Sequence, residues 1–121
     1  MAMLVIAETP EAFDAWREAQ FRSAVEPADD EQRHGHQVFL SKTCVICHTI
    51  QGTLAGGKVA PDLTHVASRR YLAAGTLPTS RGSLAAWIAD PQRVKPGNNM
   101  PRIPLTPDEL NALAAYLSAL R

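Results

Sequence analysis

The residues with the most chemistry in this chain are Cys44-Val45-Ile46-Cys47-His48. Two thiols three positions apart with a histidine directly after the second form the order that attaches a haem covalently. The sulfurs bond the porphyrin vinyl groups, and the imidazole ligates the iron. A zinc site needs four N or S donors at suitable spacing. With two cysteines and no second Cys-x-x-Cys or His-x3-His pair, zinc would have to recruit His48 and one of His34, His36 or His65. A thioredoxin-like dithiol needs a βαβ setting, which the Ala-, Leu- and Pro-rich surroundings do not offer. The motif therefore predicts one haem c bonded through Cys44 and Cys47, with His48 as an axial ligand and the opposite iron face left for a second donor.

That donor must come from a distant segment, and the candidates are Met100, His65, Met1, Met3, His34 and His36. Met100 is favoured, because prolines flank it in a stretch with no helical pattern, where a methionine has little packing reason to be. His65 follows the Pro61-Asp62 turn and is expected at the surface or beside the propionates. A thioether favours ferrous iron and raises the reduction potential, which suits an electron carrier. A peroxidatic or ligand-binding haem protein would instead need an open distal position, and Met100 argues against it.

A chain of 121 residues and 13.1 kDa makes one small domain with an appendage. Aromatic content is 6%, so a bound macrocycle would supply much of the core that so small a chain lacks. The formal net charge of zero conceals two opposed patches. Residues 1–31 hold eight acids against Arg17 and Arg22, net −6, whereas residues 32–105 hold nine Lys/Arg against Asp62 and Asp90, net +7. No nucleic-acid partner is expected. No run of 18 apolar residues is present to span a membrane. Met1 to Ala7 is too short, and lacks the basic start, for a signal peptide.

Met3 to Ala7 reads as a short strand with no visible partner. Thr9-Pro10-Glu11 opens a helix, with Thr as N-cap and Pro at the first position. Its narrow stripe of Phe13, Trp16 and Gln20 predicts a helix leaning on a neighbour. Residues 23–30 read as an acidic linker. Asp29 or Asp30 caps a helix to about Lys42 with Gly35, Val38 and Phe39 on one face; the glycine predicts close approach of another backbone. After the motif, a Gly-rich loop over residues 51–60 lacks a phosphate-binding Lys-Ser/Thr ending and is expected to wrap the haem. Asp62 is expected to cap a helix over 63–72 that Gly75 ends. A further helix over 83–89 is stopped by Asp90-Pro91. Residues 93–107 hold too many prolines for regular structure. Thr106-Pro107-Asp108-Glu109 then forms a capping box for a last helix whose buried stripe is Leu110, Leu113, Ala114, Leu117 and Leu120.

With these residues in view, the chain resembles a class I cytochrome c over residues 30–121. The resemblance rests on the haem motif, Ala60-Pro61-Asp62-Leu63-Thr64-His65, Trp87-Ile88-Ala89-Asp90-Pro91, Lys95-Pro96-Gly97-Asn98-Asn99-Met100-Pro101 and Ala114-Ala115-Tyr116-Leu117. It implies an all-α fold of four or five helices around the haem. It also implies that the Pro61 carbonyl accepts a hydrogen bond from His48 Nδ1, and that Gly35 and Phe39 meet Tyr116 where the first and last cytochrome helices cross. Ala60 stands where the family usually has glycine. Arg69, Arg70, Tyr71 and Trp87 are candidate propionate partners.

The wording of Leu63 to Arg69, Ala73 to Leu77 and Lys95 to Pro101 is similar to one subset, the cytochrome domain at the C-terminus of subunit II in caa3-type cytochrome c oxidases. Val5 to Trp16 resembles the end of the CuA domain that precedes it there. This implies residues 1–8 as a strand remnant of that domain, 9–29 as a linker helix and acidic linker, and 30–121 as the cytochrome domain. It further implies a fragment that begins after the copper site and binds no copper. As a carrier rather than an enzyme in its own right, the domain would receive electrons from an external donor and pass them to CuA of the same subunit, on the outer (periplasmic) face of the cytoplasmic membrane. A free-standing soluble carrier is the alternative. Exchange is expected at a haem edge rimmed by Val45, Ile46 and Ala55, with Lys42 and Lys58 steering the partner.

Overall fold

The helices of this protein start where a small polar residue precedes an apolar periodic run. The computed structural model describes residues 5–121. In chain order it has α1 (Pro10–Gln20), α2 (Asp30–Ser41), the single turn α3 (Cys44–Cys47), a 3-10 turn at Val66–Ser68, strands β1 (Tyr71–Leu72) and β2 (Leu77–Pro78), α4 (Arg81–Ala89), α5 (Pro91–Val94) and α6 (Pro107–Ala119). Asp29 caps α2 by accepting from the Gln32 amide at 2.8 Å, and Ser80 caps α4 by accepting from Ser83 at 3.0 Å. At α6 the capping box closes in both directions: Thr106 Oγ1 accepts from the Glu109 amide, and Glu109 Oε2 accepts from the Thr106 amide at 2.8 Å. Each such cap stabilises its helix by about 1 kcal/mol.

The core forms where α2 and α6 cross, with α4 against the other side of α6. Val38 and Phe39 of α2, Leu84 and Ile88 of α4, and Leu113, Tyr116 and Leu117 of α6 are buried in one cluster. Gly35 lets the crossing close. A Cβ there would lie 2.0 Å from the Ala112 carbonyl oxygen and 2.8 Å from Tyr116 Cβ, so the α2 backbone rests directly on α6. Burial, with a smaller contribution from Glu26, pushes the Tyr116 hydroxyl up to about 12. Two ion pairs brace the helices: Lys42 Nζ lies 2.8 Å from Glu109 Oε1, and Arg81 holds Glu31 while donating to the Asn111 carbonyl at 3.2 Å.

Several elements depart from the sequence expectation. The helix expected over 63–72 shrinks to the 3-10 turn and β1. Asp62 spends its carboxylate on the Thr64 amide, and the Ala67 amide bonds the Leu120 carbonyl at 2.8 Å, so the helical ladder loses a donor to α6. β1 pairs antiparallel with β2, joined through Ala73, Ala74 and Gly75 at φ 50°, 58° and 92°. Asp90-Pro91 does not only stop α4, because Asp90 caps α5 and Pro91 takes its first position. Leu110, expected in the buried stripe, is half-buried at its edge, and the buried run is Ala112 to Leu117.

The N-terminal region also differs. Met1 to Leu4 of the expected strand lie outside the described residues, and residues 5–8 form no strand. α1 is capped by Thr9 as expected but buries no residue. The Phe13 and Trp16 rings meet at a tilt 5.7 Å apart and remain about half exposed, with Trp16 and Gln20 lining a cavity shared with Asp62, His65 and Arg69. The contact falls at the C-terminal end of α1, where Ala19 and Gln20 are half-buried. Residues 23–29 are irregular, the linker ending one residue earlier than expected because Asp30 opens α2, and the stretch is fastened: Ala24 N donates to Gln51 O at 2.9 Å, and His65 Nε2 lies 3.1 Å from the Arg22 carbonyl.

Gly35→Ala is expected to force α2 and α6 apart and cost about 3 kcal/mol or more, lowering the thermal midpoint on the order of 10 °C; differential scanning calorimetry measures it. The hydrogen bond from Lys42, then that from the Thr106 amide, hold the Glu109 carboxyl below its ordinary value. A depressed carboxyl contributes stability that is complete above its unfolded value and lost as pH falls through the folded one. The midpoint should therefore drop as pH falls below about 4.3, and Glu109→Gln should flatten part of that drop while lowering the neutral-pH midpoint.

Candidate haem-binding site

The turn α3 follows α2 after only Lys42 and Thr43, so the α2–α6 crossing determines where the motif sits. One helical turn sets Cys44 and Cys47 on the same side. The turn closes when His48 N donates to Cys44 O at 2.9 Å, and the backbone becomes extended at His48. Both thiols are free and half-buried. Burial pushes the Cys44 thiol up, against its backbone hydrogen bond and the nearby Lys42 charge.

The chain then folds back over its own motif. Thr49 and Gly56 form an antiparallel bridge, Gly57 N donates to His48 O at 3.1 Å, and the amides of Val59 and Ala60 both donate to Cys47 O. Gly57 is required there, since a Cβ would fall 2.4 Å from the Ile46 carbonyl oxygen. This return brings Pro61 O to 2.8 Å from His48 Nδ1. A carbonyl can only accept, so Nδ1 carries the hydrogen and Nε2 presents its lone pair. Buried Thr64 pins the loop by accepting from the Gln51 amide at 2.9 Å. Burial alone would raise the Asp62 carboxyl, but hydrogen bonds from Thr64 and Gln51, with His65 nearby, hold it below its usual range.

The remaining site residues come from three other segments. Met100 and Trp87 are half-buried against the same core cluster as Cys44, Val45, Leu63 and Leu105. Apolar side chains from separate segments, each short of full burial, and a lone-pair nitrogen held by its own chain fit a planar apolar macrocycle with a metal at its centre. Arg69 is exposed and donates to the Asp62 carbonyl at 3.0 Å, beside the Pro61 turn. Arg70 and Tyr71 are exposed near it. His65 Nε2 serves the linker, His34 and His36 lie on α2, with the His36 ring 5.1 Å from Tyr116, and Met1 and Met3 fall outside the described residues. Among the described residues, no three His, Cys, Asp or Glu side chains gather as a metal cage, so Cys44 and Cys47 have no zinc-ligand set around them.

The expected rim changes in three ways, the first being that Val45 is half-buried against the core cluster. Ala55 is buried, because its carbonyl is drawn in to accept from Ile50 N at 3.0 Å. Lys42 is occupied by Glu109. Ile46 is 65% exposed, and Val59, held to Cys47 by its amide, is 83% exposed beside Lys58. Val59 escaped sequence reasoning, although an apolar residue inside a glycine-rich turn was a visible signal.

A helical domain organised around one Cys-x-x-Cys-His turn defines the class of c-type haem proteins. The model of the family described as Cytochrome c matches residues 32–121, and the chain belongs to that family: it is a haem c protein that transfers electrons. It is 36% identical over 122 residues to a cytochrome c oxidase subunit 2 of Alkalihalophilus pseudofirmus, an alignment that takes in all of this chain and 35% of the relative. It is 33% identical over 116 residues to the corresponding subunit of Bacillus sp. strain PS3, covering 90% of this chain and 32% of that one. The chain thus spans about a third of the length of these curated relatives. The crystal structure of the c-type cytochrome SorU from Sinorhizobium meliloti superposes with a TM-score of 0.54 at 23% identity, over 75% of this chain and 91% of SorU, a likeness of fold.

Proposed function

We propose that this chain relays single electrons through a haem bonded to Cys44 and Cys47 with His48 and Met100 as axial ligands, as the cytochrome domain of subunit II of a caa3-type oxidase. The observation that carries the ligation is the His48–Pro61 hydrogen bond, which leaves Nε2 as the free donor on a histidine that cannot swing. When bound, the haem supplies the ferric/ferrous couple. The chain's part is to hold the two thiols on one turn, to orient His48, to bring the Met100 thioether from the proline-rich loop and to exclude water with Leu63, Trp87 and Leu105. Arg69 and Trp87 are assigned to the propionate side.

The alignment with the Alkalihalophilus subunit supports the oxidase reading, because it includes the residues before 32 that the family model omits. On this reading residues 1–8 belong to the end of a CuA domain, 9–29 to a linker helix and acidic linker, and 30–121 to the cytochrome. Copper is held in the CuA domain and not here. Electrons enter from an external donor and leave to CuA of the same subunit on the outer, periplasmic face of the cytoplasmic membrane. No helix among the described residues is long and apolar enough to cross that membrane. Ile46 and Val59, with Lys58 beside Val59, form the proposed contact rim.

Met100→Ala should abolish the weak far-red sulfur-to-iron band of the oxidised protein and leave high-spin or water-ligated iron; an unchanged spectrum would move the assignment to another donor. Stopped-flow reduction of a detached CuA domain is expected to slow as salt rises, since charges are screened over about 10 Å at 0.1 M. Lys58→Glu should slow it at low salt only. A flat series would remove the steering charge, and no transfer at all would remove the oxidase assignment.

A further inference from the structure

The loop that carries Met100 has almost no backbone ladder of its own: from Pro96 to Leu105 the chain is turn and irregular. Two side-chain amides take the place of a ladder. Gln92, on α5, donates through Nε2 to the carbonyls of Asn98 at 2.8 Å and Met100 at 3.3 Å, and accepts from the Gly97 amide at 3.1 Å. Asn98 donates through Nδ2 to the carbonyls of Pro91 and Lys95, and its Oδ1 accepts from the Met100 amide at 2.8 Å. Both orientations are determined, because rotating either amide would set N–H against N–H and oxygen against oxygen. Met100 is therefore held at its N–H by one side chain and at its C=O by the other. Both lead back to α5, which is anchored by buried Pro91.

We infer that Gln92 and Asn98 are positioning residues that clamp Met100 and thereby determine how firmly its thioether competes for the iron. The inference rests on the reading of Met100 as the distal ligand. Neither side chain is assigned to the haem; each acts through the Met100 backbone. A loop immobilised beforehand gives up little freedom when its sulfur binds, so ligation is stronger than that of a free thioether. Without the clamp the same sulfur must order its own loop, and an exogenous ligand displaces it more readily.

The test is imidazole titration of the haem-loaded ferric protein, followed by loss of the far-red band, together with the midpoint potential. Gln92→Leu and Asn98→Leu should each bind imidazole about tenfold more tightly, as expected when hydrogen bonds worth roughly 1.4 kcal/mol are lost, and their potentials should fall. Gln92→Glu changes an exposed side chain, keeps the contact to Gly97 and loses both donations; it should move the same way if a leucine variant fails to fold. Arg81→Gln, which releases the ion pair to Glu31, should lower the thermal midpoint without changing imidazole affinity, separating clamping from general destabilisation. Wild-type imidazole affinity and potential in the Gln92 and Asn98 variants would overturn the clamp while leaving Met100 as ligand. A wild-type protein without the far-red band would overturn both.

Discussion

The contact of the α2 backbone with the α6 backbone at Gly35 and Ala112 is the constraint from which the other distances follow. Helices held apart by side chains sit 8–10 Å between axes; removing the side chain at Gly35 lets α6 enter the space a Cβ would take. Phe39 and Tyr116 are then buried on the two sides of the meeting. The end of α2 is thereby fixed, and only Lys42 and Thr43 separate it from the two thiols. Lys42 reports the same constraint from the other helix, since its partner Glu109 lies in the first turn of α6.

Around that frame the site is built from main-chain acceptors more than from side chains. Cys47 O receives two amides, His48 O one, and Pro61 O faces the imidazole. Such bonds depend on chain path and not on residue type, so the loop can vary in sequence while its shape persists. Ala60, at a position where glycine is usual in this family, donates its amide normally to Cys47. Glycine is needed instead at Gly57, where the two backbones touch.

Features written in adjacent residues were legible from sequence. The caps at Asp29 and Thr106 and the irregular stretch before α2 each depend on a few neighbours; the caps are found where they were read, and the stretch runs to Asp29. Features settled by distant partners were not. Ala67 gives its amide to Leu120, which no local pattern announces, and the expected helix over 63–72 fails for that reason. Lys42 looked like a free surface charge because Glu109 is remote in sequence. The aromatic period of Phe13 and Trp16 was real, but a stripe states only that something can cover it. The paired amides of Gln92 and Asn98 flank a Pro-Gly turn, a cue that becomes readable only once α5 is known to form.

The crossing of α2 with α6 joins the beginning of the cytochrome domain to its end, with residues 42–106 enclosed between them. A ribosome releases α2 long before α6, and α2 lacks its partner surface until that thirteen-residue helix has been made. An isolated twelve-residue helix is marginal in water, and long-range closure is slow compared with local turns. Residues 42–106 therefore stay open until α6 has been made. During that interval Cys44 and Cys47, half-buried in the folded chain, are fully open to reagents.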